Sequence, residues 1–219
     1  MPDATDDAGT TRELWLLRHG QRVDQVDPSW AETAENPHDP GLTDWGHEQA
    51  DRAGRRLRET GVEIDAVYAS PFTRAVQTAD AVARHLDLPV RVENGLCEHL
   101  NPEWFDHAPT VPTAADHART VERVRADHDA VLRPTFPESG EDAADRATET
   151  ARRLLAGSDD RTLLLVGHGL TVGGITAGLT GEDVDVPLAG LTRLETEGEE
   201  ADGGDDWHVT LAADTAHYD

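Results

Sequence analysis

Two histidines of this 219-residue chain have neighbours that suit chemistry at a phosphorus atom. His19 directly follows Arg18, and His168 lies between two glycines. A neutral imidazole nitrogen can attack phosphorus and hold it covalently, while guanidinium groups bind phosphate oxygens in pairs. Glycines beside a histidine let backbone amides approach an anion closely. These residue types predict a phosphate site. Its candidate members are Arg18, His19, Arg22, Arg74, Glu98, His168 and Gly169.

These candidates lie near the ends of predicted strands. The apolar run 13–17 predicts a first strand that leads to Arg18, and 64–69 predicts a second. The most hydrophobic run, 162–166, leads to His168. Because the carboxyl ends of parallel strands lie at one edge of a sheet, where such folds bind ligands, we expect the candidates to meet there.

The alternation of strands and helices predicts an α/β fold with three α/β/α layers and a mainly parallel sheet. A short strand is expected at 90–92. Two late strands, 188–195 and 207–212, flank an acidic glycine-rich hairpin and are expected to add antiparallel at the edge. Helices are predicted over 43–60, 113–131, 140–156 and 170–179. A further helix is predicted to begin after Ser70, with Ser70 as its N-cap and Pro71 in its first turn.

The chain shows no linker that would divide it into independent domains. Residues 1–12 are predicted to be a disordered tail, and 13–219 to be a single domain. The segment 94–140 interrupts the alternation and contains no clear strand. We therefore expect it to form a cap over the site.

An ester that loses its phosphoryl group also needs a proton for the leaving oxygen. Glu98 follows the third predicted strand and is the candidate acid, with Glu103 and Glu138 as alternatives. The role of general acid would require partial burial to raise the pKa of Glu98, so that the residue is protonated when substrate is bound.

The composition is strongly acidic, with 44 acidic and 19 basic residues and a formal net charge of −25. No lysine occurs, and aspartate outnumbers glutamate. Dense carboxylates keep a surface hydrated, which is typical of proteins adapted to high salt. The charge disfavours nucleic-acid backbones and anionic membranes as partners. A small phosphorylated substrate remains compatible, because at 1 M salt the Debye length is about 3 Å and nearby arginines dominate.

Several kinds of site and location are disfavoured. Cys97 is the single cysteine, which argues against a disulfide framework or a cysteine-based metal site. The spacing of His99, Glu103, Asp106 and His107 fits no metal-ligand pattern, so no metal is expected. The polar N-terminus is unlike a signal peptide, and no apolar run approaches the roughly 20 residues that cross a bilayer. These features predict a cytoplasmic protein.

Together the motifs resemble the histidine phosphatase superfamily, also called phosphoglycerate mutase-like. The resemblance covers roughly residues 13–180, and the motifs occur in the family's order. The matching segments are 17–21 (LRHGQ), 42–50 (LTDWGHEQA), 70–79 (SPFTRAVQTA), 96–98 (LCE) and 166–169 (VGHG).

The resemblance implies a cofactor-independent enzyme in which His19 accepts the phosphoryl group and Glu98 donates the proton. Arg18, Arg74 and His168 would complete the phosphate pocket. Arg22 makes the first motif most similar to the ecdysteroid-phosphate and suppressor-of-T-cell-receptor-signalling phosphatase branch, where this arginine also touches phosphate. From the residues alone, Arg22 could instead pair with Asp24 or Asp27.

Three hypotheses follow. The leading one is a phosphomonoesterase that works through phosphohistidine. The second is a phosphoglycerate mutase-type phosphomutase, which is disfavoured because 94–140 has no evident basic segment for a carboxylate; Arg119, Arg123 and Arg125 are expected on the 113–131 helix. The third is a catalytically silent phospholigand-binding module. The sequence leaves the substrate and the oligomeric state open.

Overall fold

Seven strands form one mixed sheet in the computed structural model, which describes residues 11–196 and 206–218. The sheet order is β4-β3-β2-β5-β1-β6-β7. The first five strands in that order are parallel, β6 runs antiparallel to β1, and β7 runs antiparallel to β6. The predicted parallel sheet with an antiparallel addition is confirmed. The strands are β1 (Glu13–Arg18), β2 (Ala66–Ala69), β3 (Val90–Val92), β4 (Val124–Arg125), β5 (Thr162–Gly167), β6 (Leu191–Thr196) and β7 (Trp207–Asp214).

Alternating side chains of the buried strands supply two separate hydrophobic cores. In β1, Trp15 and Leu17 enter one core, and Leu14 and Leu16 enter the other. Strands β2 and β5 divide their side chains in the same way. A parallel sheet that is covered on both faces shows such continuous apolar runs.

Helices cover both faces of the sheet. Helices α2 and α3 pack together on the first core, and α5 and α6 on the second, so the three predicted layers are confirmed. No helix within the described ranges is both long and apolar enough to cross a membrane. The helices are α1 (Trp30–Thr33), α2 (Asp44–Thr60), α3 (Thr73–Leu86), α4 (Ala114–His117), α5 (Gly140–Ala156) and α6 (Gly169–Thr180).

Local capping signals set the bounds of the two longest helices. The Thr43 hydroxyl accepts from the Gly46 amide at the start of α2, and Gly61 ends that helix with a φ of 73°. Ser139 and Asp142 form a reciprocal capping box at the start of α5. The predicted helix over 140–156 is confirmed at both ends.

The predicted helix over 113–131 is wrong. Only α4 forms there, and β4 follows it by pairing Val124 with Val90 of β3. Val124 is buried in the first core, so sheet pairing outweighs local helix propensity. The expectation that 94–140 contains no strand is therefore wrong too, and Arg119, Arg123 and Arg125 do not share a helix.

Ser70 is not the N-cap of the third long helix. Helix α3 begins at Thr73, after Phe72, whose backbone is extended. The missing cap comes from a distant loop, because Asp39 accepts from the Thr73 amide at 2.8 Å and from its hydroxyl at 2.5 Å. The Ser70 hydroxyl instead contacts His168 Nε2 at 2.8 Å.

The segment after β3 packs around a small core of its own. Phe72, Cys97, Leu100 and Phe105 are buried together there, with Val111 and Phe136 partly buried against them. This core lies beside the carboxyl ends of the strands, because Phe72 follows β2 and Cys97 follows β3. The expected tail falls almost entirely outside the described residues, as does the tip of the acidic hairpin, 197–205.

Candidate active site

His19 is buried at the end of β1, where its ring is held in one orientation. Its Nδ1 lies 2.8 Å from the Gly20 carbonyl oxygen, and its own amide donates to the Gly167 carbonyl of β5. Because a carbonyl only accepts, Nδ1 carries the proton and Nε2 keeps its lone pair. Burial lowers the pKa of His19 well below its usual range, with the charge of Arg74 adding to the effect, so the ring is neutral and nucleophilic.

The loop that carries His19 contacts the first turn of α2 backbone to backbone. A Cβ on Gly20 would lie 2.5 Å from the Gly46 carbonyl oxygen, and one on Gly46 would collide with the Gln21 carbonyl oxygen. The Gly20 amide donates to the Thr78 hydroxyl of α3 at 3.2 Å. These contacts hold the loop that carries His19 against two helices.

Arg18 is anchored by the loop before β6. Its Nη1 donates to the Val186 carbonyl at 2.6 Å, and its amide contacts the Gly190 carbonyl. In the same loop the Ala189 amide donates to the His19 carbonyl at 3.2 Å. The Nε of Arg18 is buried and has no hydrogen-bond partner among the described residues, so one donor remains for an anion. Burial lowers the pKa of Arg18, but an arginine stays charged in a protein.

Arg74 brings a second, almost fully buried guanidinium from α3. Its Nη2 donates to Glu98 Oε2 at 3.2 Å, and its central carbon lies 4.4 Å from the centroid of the Phe72 ring. Its Nε and Nη1 have no hydrogen bond within the described chain, and Nη1 lies 3.9 Å from Asp39 Oδ1. A buried cation with unused donors is suited to receiving an anion.

His168 joins the ends of β2, β5 and the segment after β3. Its Nε2 lies 2.8 Å from the Ser70 hydroxyl, and its Nδ1 lies 3.1 Å from Glu98 Oε2. Its ring centroid is 5.3 Å from that of His19. Burial lowers the pKa of His168 to about 4, which makes the ring neutral near pH 7. It is also the N-cap residue of α6, whose first residue is Gly169.

The ionisation of Glu98 differs from the sequence-based expectation. Burial acts to raise its pKa, but the interactions with His168 and the charge of Arg74 outweigh burial and hold the pKa well below its usual range. The raised pKa that the acid role requires is therefore not present in the protein alone, because two donors already stabilise the carboxylate.

The two alternative acids are placed differently. Glu138 is buried and engaged by Arg146, with 2.6 Å between Oε1 and Nη2, and it accepts from the Leu100 amide. Glu103 is exposed and does not line the cleft. Among these three carboxylates, only Glu98 contacts both Arg74 and His168.

Arg146 is a residue that the sequence analysis missed. From α5, its Nη1 donates to the carbonyl oxygens of Gly95 at 2.7 Å and Cys97 at 3.2 Å, so it supports the backbone that leads into Glu98. A usable signal exists, because helical spacing places Arg146 on the same buried stripe as Ala143 and Thr150.

The six charged and imidazole candidates surround one cleft of about 500 Å³. Arg18, Arg74, Glu98 and Gly169 line it, with His19 and His168 buried beneath. Arg22 lines it too, although both its Nε and Nη2 donate to Asp24 at 3.0 Å. The predicted convergence is thus observed, and Arg22 forms the ion pair that the sequence left open.

A metal site at the same place is disfavoured by charge. Of the residues that the structure describes, only His19, Glu98 and His168 form a group whose ligand atoms lie within 4.8 Å of one another. The Nη2 of Arg74 lies 3.2 Å from Glu98 Oε2 and 3.3 Å from His168 Nδ1. A guanidinium at this position repels a divalent cation.

Comparison with solved structures finds the same fold in another protein. The structure of ecdysone phosphate phosphatase from Bombix mori in complex with tungstate superposes with a TM-score of 0.75, covering 92% of this chain and 93% of that chain. The two sequences are 22% identical, so this likeness concerns the fold.

Two curated relatives show similarity in sequence. Glucosyl-3-phosphoglycerate phosphatase of Mycolicibacterium vanbaalenii is 31% identical over 206 residues, which cover 84% of this chain and 87% of that protein. Human ubiquitin-associated and SH3 domain-containing protein A is 27% identical over 210 residues, which cover 78% of this chain. This chain spans only 31% of that human protein.

The model of the histidine phosphatase superfamily (branch 1) matches residues 14–202, which include each of the candidate site residues. The match covers most of the chain. The predicted family is confirmed: this chain belongs to the histidine phosphatase superfamily.

Proposed function

We propose that this protein is a phosphomonoesterase that forms a phosphohistidine on His19. The observation that carries the proposal is the orientation of His19, whose protonated Nδ1 donates to the Gly20 carbonyl while Nε2 has no hydrogen-bond partner among the residues described. Arg18 and Arg74 supply unused donors beside it. The roles of both arginines, and those of Gly169 and His168 as phosphate ligands, are part of this proposal.

In the first step, Nε2 of His19 forms a bond to phosphorus as the bond to the ester oxygen breaks. Glu98 gives its proton to that oxygen, and the alcohol leaves. In the second step, Glu98 takes a proton from water, the water oxygen bonds to phosphorus, and the bond to Nε2 breaks. Inorganic phosphate is released and Glu98 is protonated again, so atoms and charges balance.

Glu98 must hold a proton when the ester binds, although its pKa is low in the protein alone. A bound phosphate brings negative charge beside it and competes for the donors of Arg74 and His168. Both effects raise the pKa of Glu98, so substrate binding itself favours uptake of the proton.

Phosphomutase activity is the weaker alternative, because no further basic side chain lines the described part of the cleft to bind the carboxylate of a phosphoglycerate. Arg119 is exposed and pairs with Asp116, and neither Arg123 nor Arg125 lines the cleft.

We further propose that catalysis is metal-independent and that the protein is cytoplasmic. We also propose that the protein is adapted to high salt, because its net charge is −25.

Trapping of a phosphoenzyme tests the proposal. The protein is mixed in molar salt with a ³²P-labelled phosphate ester, quenched in alkali and assayed for labelled phosphohistidine and released phosphate. The wild type is expected to give both, His19→Ala neither, and His47→Ala, an exposed histidine of α2, both.

Three outcomes would contradict the proposal. Full activity of His19→Ala would overturn it. Isomerisation of 2- or 3-phosphoglycerate with a bisphosphate primer and no net phosphate release would favour the phosphomutase. A protein that binds phosphate compounds but does not hydrolyse them would be a catalytically silent phospholigand-binding module. The assay for turnover should cover about pH 5 to 9, a range that includes the ordinary pKa of imidazole.

A further inference from the structure

We propose that the cleft selects phosphate monoesters whose leaving group is flat and apolar and carries no second negative charge. This inference rests on the proposed phosphatase function and assigns its substrate class. It follows from the part of the cleft that lies beyond the phosphate site.

None of the three arginines that line the cleft is available for a second anionic group. Arg18 and Arg74 adjoin the buried histidines, and Arg22 is paired with Asp24. No lysine exists in the chain to supply a further cation. The other charged side chains that line the cleft in the described structure are the carboxylates of Asp24 and Glu98. A second anionic group on a substrate would therefore meet repulsion without a counter-charge.

The walls above the phosphate end are apolar and aromatic. Three segments contribute to them: the loop after β1, the segment after β3 and the start of α6. The His38 ring packs edge-on against Phe105, with centroids 5.3 Å apart. The wall residues are Pro37, His38, Pro40, Trp104, Phe105 and Leu170.

Two of the wall residues are large apolar side chains that are exposed to solvent. Trp104 is 58% exposed and Leu170 is 37% exposed. They are two of the four large apolar side chains that are exposed within the described ranges, and both line this cleft. Apolar groups left in solvent at a concave surface mark a ligand-binding face, and an indole offers a flat ring to stack against.

A series of synthetic esters on the wild-type protein tests the proposal. The substrates are phenyl phosphate, 1-naphthyl phosphate, 4-carboxyphenyl phosphate, glycerol 2-phosphate and 3-phosphoglycerate, assayed at pH 8 in both low and molar salt. We expect kcat/KM to rise from phenyl to naphthyl phosphate. The added carboxylate of 4-carboxyphenyl phosphate should lower it by about tenfold in low salt and by less in molar salt.

Two tryptophan variants test whether the preference for flat, apolar leaving groups depends on Trp104. Trp104→Ala should reduce the ratio of kcat/KM for naphthyl phosphate to that for glycerol 2-phosphate by about tenfold, the scale expected for losing burial of an aromatic group. The matched control is Trp45→Ala, which removes an exposed tryptophan of α2 outside the cleft and should leave the ratio unchanged.

Failure of this inference is distinguishable from failure of the phosphatase proposal. If 3-phosphoglycerate or 4-carboxyphenyl phosphate is hydrolysed as efficiently as phenyl phosphate through His19, the substrate class is wrong and the phosphatase stands. An unchanged ratio in Trp104→Ala would also overturn the assignment. If no ester yields a phosphoenzyme or free phosphate, both proposals fall.

Discussion

The Nδ1 of His168 lies 3.1 Å from Oε2 of Glu98, and the same carboxylate oxygen lies 3.2 Å from Nη2 of Arg74. One oxygen thus receives two donors from different strand ends. This arrangement keeps the carboxylate ionised in the protein alone.

Replacing Glu98 by glutamine should reveal its role as the acid. The amide preserves size but carries no transferable proton, so kcat for an alkyl phosphate is expected to fall by about 10²–10⁴-fold. The burst of 4-nitrophenol from 4-nitrophenyl phosphate should fall much less, because that leaving group needs no proton. Rapid-quench measurement of both first turnovers checks this. Equal losses on the two esters would show that Glu98 does not protonate the leaving group.

Arg146→Met tests the support beneath Glu98. The change leaves the buried Glu138 carboxylate without its partner, which should lower the free energy of unfolding by about 3–5 kcal/mol. Adding Glu138→Gln should restore part of the loss, because the unpaired charge is removed. Urea unfolding measures both, with Arg153→Met as control: its pair with Glu149 is half-exposed and worth at most about 1 kcal/mol. A loss no larger than the control's would contradict this structural role.

Asp24→Asn should release Arg22 for phosphate. The pair is about 30% exposed, and such pairs contribute roughly 0.2–1 kcal/mol, so the inhibition constant of inorganic phosphate should fall by up to about fivefold. The effect should shrink in molar salt, where the Debye length is about 3 Å. The control is Asp27→Asn, whose carboxylate accepts from Ser29 outside the cleft. If low-salt phosphate inhibition is the same in Asp24→Asn and wild type, Arg22 does not reach the anion.

Stability should depend on pH through His168. Its pKa is about 4 in the fold against 6.5 for an ordinary histidine, so below pH 6.5 the unfolded chain binds a proton that the fold excludes. The stabilising contribution is complete above pH 6.5 and is lost as the pH falls toward 4, with a total of roughly 3 kcal/mol. We expect the free energy of unfolding of the wild type to fall more steeply between pH 7 and 5 than that of His168→Asn. Parallel curves would show that His168 is not buried as a neutral ring.

Helices with local signals were predicted well, and those set by distant contacts were not. Ser139 and Asp142 cap α5 within one turn, and Gly61 ends α2 with a left-handed backbone. The start of α3 depends on Asp39, which belongs to another loop. Likewise Val124 enters the sheet only because β3 is already present as a partner. No local pattern contains either contact.

The site shows the same division. The convergence of His19, Arg74, Glu98 and His168 could be predicted from residue type and strand-end position, because the topology of a parallel sheet brings those ends together. The ionisation of Glu98 could not, since it follows from distances of about 3 Å that only tertiary packing defines. The exposed position of Trp104 was not predicted from the sequence either.

The contact between Gly20 and Gly46 has a consequence for how this protein can diversify. Neither residue lines the cleft, yet each is irreplaceable by any residue with a Cβ unless the backbone shifts. The proposed nucleophile is therefore positioned by main-chain contacts, while the apolar walls of the cleft consist of side chains on other segments. Under the proposed function, we expect single substitutions in those walls to change which esters are accepted without displacing His19.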